Sequence, residues 1–221
     1  MKHLNRILVA VAAIGFATSA FAQDNVVNTP HNLSSTGAVN NFYVADTDEV
    51  CVFCHTPHAA DISIGVALWN KGPTGAIYTM YSSSTMDMAV ALAPANESMA
   101  CLTCHDGTVA MDTLVNAPGS GNYTLGGANM AWTWTAGTEL LTGVANVATD
   151  LSNDHPIGIT YDNTLDTAFN SIAAVTGAGI RLFTGNTVEC ASCHNPHEGN
   201  LPTFYRVTNA GSAMCTACHM K

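Results

Sequence analysis

The chain has 221 residues, 48% of them hydrophobic and only 10% charged, with sixteen Asp and Glu against six Lys and Arg. Such an acidic balance excludes a protein that works by gripping nucleic acid or anionic membrane, and favours basic partners or oxidised metal cations. It also keeps a chain rich in apolar side chains in solution.

Residues 1–22 carry a basic start (Lys2, Arg6), an apolar run over 7–17 and the small-residue site Ala20-Phe21-Ala22, the pattern of a cleaved secretory signal peptide. The run is shorter than the roughly 20 residues a membrane span needs, which disfavours the rival reading of an uncleaved anchor. No cysteine precedes Cys51, so a lipid anchor at the cleavage point is excluded. The mature chain is expected to be residues 23–221, a single domain secreted to the cell surface or medium, with the periplasm as the alternative. Only Lys71, Arg181, Arg206 and Lys221 then remain as cations, a net charge of about −12.

Residues 23–49 are polar and without a clear period, and read as an extended N-terminal arm bearing His31 in Pro30-His31-Asn32-Leu33-Ser34. Cys51-Val52-Phe53-Cys54-His55 follows and continues through Thr56 and Pro57 to His58. A short helix is expected over 84–92, ended by Pro94, ahead of the second block, Cys101-Leu102-Thr103-Cys104-His105. The Gly-rich stretch 119–137, with Tyr123, Trp132 and Trp134, suggests a β-hairpin. Beyond it come Asp154-His155-Pro156-Ile157-Gly158, an amphipathic helix from about 165 to 175, and a short strand at Arg181-Leu182-Phe183. Block three, Cys190-Ala191-Ser192-Cys193-His194, runs through Asn195 and Pro196 to His197 and so repeats block one; block four is Cys215-Thr216-Ala217-Cys218-His219. The surrounding sequence does not repeat well enough to argue two equal halves.

All eight cysteines fall in these blocks, and a histidine follows every pair. Cys-x-x-Cys-His is the attachment signature of a c-type haem. Two thiols add to the haem vinyl groups, and the adjacent imidazole lies under the iron. Zinc or dithiol chemistry accounts for the paired cysteines but not for the histidine after each pair. Disulfides across two residues would be strained and would staple almost nothing together. Four covalent haems in roughly 200 residues would form much of the core, so loops and short helices wrapped around porphyrins are expected.

Of the nine histidines, His3 leaves with the signal peptide and His55, His105, His194 and His219 are proximal ligands. His31, His58, His155 and His197 remain, one spare imidazole for each iron. Three extended residues reach only about 10 to 11 Å, too short to pass around a porphyrin edge, so His58 and His197 must each serve a haem other than the one their own block holds. Pairing in chain order assigns His31 to the first haem, His58 to the second, His155 to the third and His197 to the fourth. Imidazole on both axial positions leaves a low-spin electron carrier with no open site for a substrate, which argues against catalysis.

The segments His31-Asn32-Leu33-Ser34, 51–58, Asp154-His155-Pro156-Ile157 and 188–197 resemble those of multihaem c-type cytochromes with doubled haem-and-His motifs. Size and motif placement are most similar to the OmcE-like tetrahaem cytochromes of metal-reducing bacteria, which polymerise into extracellular filaments. That resemblance implies an irregular, loop-rich multihaem cytochrome c fold with bis-His haems stacked in a chain and one subunit supplying an axial histidine to the next. Other cytochromes or extracellular acceptors such as metal oxides would then be its partners. A head-to-tail interface that does not close generates a fibre, with His31 as the candidate ligand across it and coordination inside its own subunit as the alternative. A monomeric periplasmic shuttle and the haem subunit of a redox enzyme are the competing readings.

Overall fold

The chain builds little regular structure, and what it builds lies at the motifs. In the computed structural model, which describes residues 26–37, 43–44, 47–119 and 140–220, there are four short helices: α1 (Asn96–His105), α2 (Ile172–Gly177), α3 (Cys190–Cys193) and α4 (Ala213–Cys218). Two two-residue strands, β1 (Ile159–Thr160) and β2 (Thr187–Val188), pair antiparallel with Ile159 opposite Val188. No helix among the described residues is long and apolar enough to cross a membrane. The fold is irregular and loop-rich.

Local chemistry explains these elements. Helix α1 starts after Pro94, with Glu97 in its first turn where the dipole favours an acid. It stops where Gly107 takes φ 68°. That left-handed backbone favours glycine, and a Cβ there would also crowd the Asn146 amide. Helix α2 is capped by the Ser171 hydroxyl, which accepts from the Ala174 N–H at 3.3 Å. Glu189 and Ser192 form a reciprocal capping box on α3. Its carboxylate also accepts from the buried Ser98 hydroxyl of α1 at 2.5 Å, which joins blocks two and three, and burial raises its pKa.

Several expectations are corrected. Residues 84–92 are not helical: 84–85 turn, and 89–91 lie against β1, with Ala91 N–H donating to Gly158 O at 2.9 Å and Thr160 N–H to Ala89 O at 3.0 Å. The helix expected from about 165 begins only at Ile172, because Asp162 and Asp166 close tight turns onto Thr164 and Ala168, a local alternative to helix. Residues 181–183 flank a turn, with Gly185 and Asn186 at positive φ, and the strand comes after it, at Thr187. The expected hairpin over 119–137 lies, apart from Gly119, outside the described residues, as do residues 1–22. Within the expected arm, residues 26–37 form a run of tight turns in which Asn32 and Ser34 are fully buried.

Most of the buried apolar residues fall into three small groups. One gathers Met88, Ile159, Tyr161, Val175, Ile180 and Val188, with Ala217 and Cys218 packed against it. The second holds Val44, Val52, Phe53 and Leu114, and the third Ile64, Trp69 and Ala100; Cys54 packs on both. Each core thus abuts an attachment block.

Candidate functional site

Each block is a single helical turn that presents its histidine. His55 N–H donates to Cys51 O at 2.7 Å, His194 N–H to Cys190 O at 3.1 Å and His219 N–H to Cys215 O at 2.9 Å, and block two closes α1. An i→i+4 turn sets both thiols and the imidazole on one side of the backbone, as covalent attachment with axial ligation requires.

A second segment then clamps blocks one, three and four in the same way. Trp69, Tyr205 and Phe169 form antiparallel bridges to His55, His194 and His219. In each, the residue after the aromatic donates its N–H to the carbonyl of the block's second cysteine (Asn70 to Cys54 at 2.9 Å, Arg206 to Cys193 at 2.8 Å, Asn170 to Cys218 at 2.8 Å). Its side chain reaches the carbonyl just after the first cysteine: Asn70 to Val52 at 2.6 Å, Arg206 to Ala191 at 2.7 Å, Asn170 to Thr216 at 2.9 Å. The aromatic rings lie against the histidines at centroid distances of 5.7, 5.2 and 4.5 Å. None of these six clamp residues emerged from the sequence as part of a site. The recurring pairs Trp69-Asn70 and Phe169-Asn170 were the available signal, masked by Tyr205-Arg206 in the third copy.

The ring nitrogens are oriented for ligation. Nδ1 of His55, His105 and His194 faces the carbonyls of Ala67, Ala145 and Thr203 at 3.1, 2.7 and 2.7 Å, and Nδ1 of His31 faces Pro196 O at 3.2 Å. A carbonyl can only accept, so each Nδ1 carries the proton and Nε2 is left as the free donor for a metal. Burial, then the neighbouring His105, lowers the His31 pKa to about 4. Burial also lowers those of His55 and His105. The ligating, neutral form is favoured at all three.

Two of the spare histidines face motif histidines. The rings of His55 and His197 are 6.1 Å apart with an interplanar angle of 24°, and those of His31 and His105 are 6.1 Å apart at 86°. Two imidazole nitrogens about 2 Å from a shared metal on opposite sides would put their ring centroids about 6 Å apart, the separation both pairs show. A buried Trp69 Nε1–H beside block one has no protein acceptor, which suits a polar bound group there. Ring proximity sets His31 beside the block-two histidine and His197 beside that of block one, where chain order assigned them to the first and fourth haems. The arm turns back on Phe204, whose ring stacks on His31 at 4.3 Å, and so His31 is held inside its own chain. His58 is exposed at the rim of a cavity of about 470 Å³ that also contacts Cys51, Val52 and His55. His155 is exposed on a loop tied beside block three by the Gly158 N–H bond to Val188 O at 2.8 Å.

The thiols order the blocks. All eight are free. Burial, with Cys104 alongside, pushes the Cys54 thiol up to about 12. Cys101 donates to the Glu97 carbonyl at 3.4 Å, and its interaction with the neighbouring Cys190 raises the Cys101 thiol and lowers that of Cys190. Burial, then Cys193, pushes Cys218 up to about 11. Block one therefore neighbours two, two neighbours three, and three neighbours four. Among the described residues no three His, Cys, Asp or Glu side chains converge as a metal-holding group, and the arrangement is one of serial clamps.

A family model described as the doubled CXXCH motif matches residues 184–221, which hold blocks three and four. No curated protein matches the chain. The motif match supports a multihaem c-type cytochrome whose covalently bound haem c transfers electrons.

Proposed function

We propose that the chain is a tetrahaem electron carrier with four bis-His haem c groups, and that it polymerises into an extracellular electron-conducting filament. The observation that carries the first part is the pair of facing imidazoles, His55 with His197 and His31 with His105, each 6.1 Å apart. Bound haem supplies one-electron iron chemistry. The chain supplies thioether anchors at Cys51, Cys54, Cys101, Cys104, Cys190, Cys193, Cys215 and Cys218, the axial nitrogens, and carbonyls that hold the Nδ1 protons in place. With both axial positions filled, it is a carrier and not an enzyme. Its acidic surface supports basic cytochromes and cationic or oxide-bound metal as partners, and the leader-like residues 1–22 support export.

The filament reading rests on His58. His197 follows block three by the same spacing that sets His58 after block one, and His197 reaches from block three to block one. His58 by the same device reaches onward from block one, away from blocks already served by His31 and His197. His155, beside block three, completes the third haem, which leaves the fourth for His58 of another copy. His58 thus takes the role across the interface that the arm's His31 was expected to hold.

Intact mass of the secreted protein is expected to show four added haems, its oxidised spectrum to lack a high-spin band, and negative-stain images to show fibres. His58→Ala should give dispersed subunits with one open iron in four. Fibres with every haem still low-spin in that variant would defeat the filament assignment, and dispersed, fully low-spin wild type would favour the periplasmic shuttle.

A further inference from the structure

Lys71 is completely buried, one of the few cations in a strongly acidic chain. Its ammonium donates to three backbone carbonyls, those of Ala110 at 2.9 Å, Met111 at 3.0 Å and Thr113 at 3.0 Å, so it spends all three of its donors. The segments it joins are those that follow blocks one and two. Lys71 directly succeeds Asn70, the clamp on Cys54, and residues 110–113 belong to the loop that leaves α1 after His105. Its charge is felt at the thiols of both Cys54 and Cys104, the second cysteine of each block. No neutral side chain carries three such donors, so these carbonyls fix a full positive charge inside the protein.

We infer that Lys71 is an electrostatic tuning residue that raises the reduction potentials of the haems at blocks one and two, making that half of the relay the sink for electrons entering elsewhere. The inference rests on the haem reading above. A ferric bis-His haem carries one more positive charge than the ferrous form, so a fixed cation beside it favours the electron's arrival. Burial strengthens the effect, because charge interacts over a low dielectric. Arg206, beside Cys193, is half-exposed and acts more weakly on block three. Asp106 and Asp112 are also buried in the loop after α1; they are common to wild type and variants, so a difference between the two reports Lys71.

The experiment is a spectroelectrochemical titration of the full secreted protein as wild type, Lys71→Met, Lys71→Gln and Lys71→Arg, with haem content by mass and spin state by absorption measured first. Four low-spin haems in wild type are the check on the haem reading, and their absence would overturn that reading and not the tuning role. Given that check, the two neutral variants should bind electrons about tenfold more weakly at two of the four haems, a fall of about 59 mV for a one-electron couple, while Lys71→Arg keeps wild-type potentials. Loaded neutral variants with unmoved potentials overturn the inference. So does loss of haem from both neutral variants while Lys71→Arg loads normally, which assigns Lys71 to folding alone.

Discussion

An imidazole binds a metal only through a nitrogen that has no proton, and this chain settles that question with backbone carbonyls. Among the described residues five histidines, His31, His55, His105, His155 and His194, donate Nδ1–H to a carbonyl, so the tautomer is chosen before any cofactor arrives. The two facing pairs differ in ring angle, near-parallel at block one and near-perpendicular at block two. Electron paramagnetic resonance of the oxidised protein should therefore show a rhombic low-spin signal from the first and a highly anisotropic one from the second. His197→Ala should remove the former and His31→Ala the latter, each with a new high-spin signal from one haem in four. Loss of the same signal in both variants would contradict the pairing.

At the scale of elements, the unit is a block plus a distant aromatic-and-donor pair. Deleting one side-chain hydrogen bond to a buried carbonyl costs about 1 to 3 kcal/mol, and the acceptor left behind is the carbonyl inside the attachment turn. Asn170→Leu is expected to lower the thermal midpoint and reduce haem occupancy at block four, read by mass on a peptide bearing Cys215 and Cys218; unchanged occupancy and midpoint would mean the clamp is incidental. The blocks themselves were legible in the sequence because their chemistry is local, five residues wide. The clamps were not, because each partner lies outside its block, and the aromatic-and-Asn pair that marks two of them becomes Tyr205-Arg206 in the third. Residues 84–92 were misread for a related reason: Met86, Met88, Val90 and Leu92 suit either a helix or an extended segment, and docking against Gly158 and Ile159 decided between them. The pairing of His31 with His105 was hidden because it depends on the chain doubling back at 26–37, where turns formed by Asn32, Ser34 and Thr36 carry no apolar period.

At the scale of the whole molecule, the described residues form three separate small cores. Polypeptide alone therefore provides little continuous apolar contact, and haem attachment is expected to be part of folding. A variant with all eight cysteines changed to serine should lack a cooperative thermal transition by circular dichroism, whereas the haem-loaded chain should show one. The sixteen acids against few cations govern encounters. Electron exchange with a cationic partner should slow steeply as salt is raised through the range where the screening length falls from about 30 to 8 Å, measured by stopped flow, and a flat salt dependence would show that surface charge does not steer the partner.

Thr203 and Phe204 both sit at positive φ, 53° and 60°, a conformation that costs non-glycine residues about 1 to 3 kcal/mol each. The Thr203 carbonyl holds His194 of block three, while the Phe204 ring lies on His31, which faces block two. One peptide unit thus bears on the ligands of two successive blocks, and any rotation of it would tilt both imidazoles together. With haem held at both blocks, a displacement at one centre would reach the next as a movement of the chain, and the stiffness of this dipeptide would set how far both could shift.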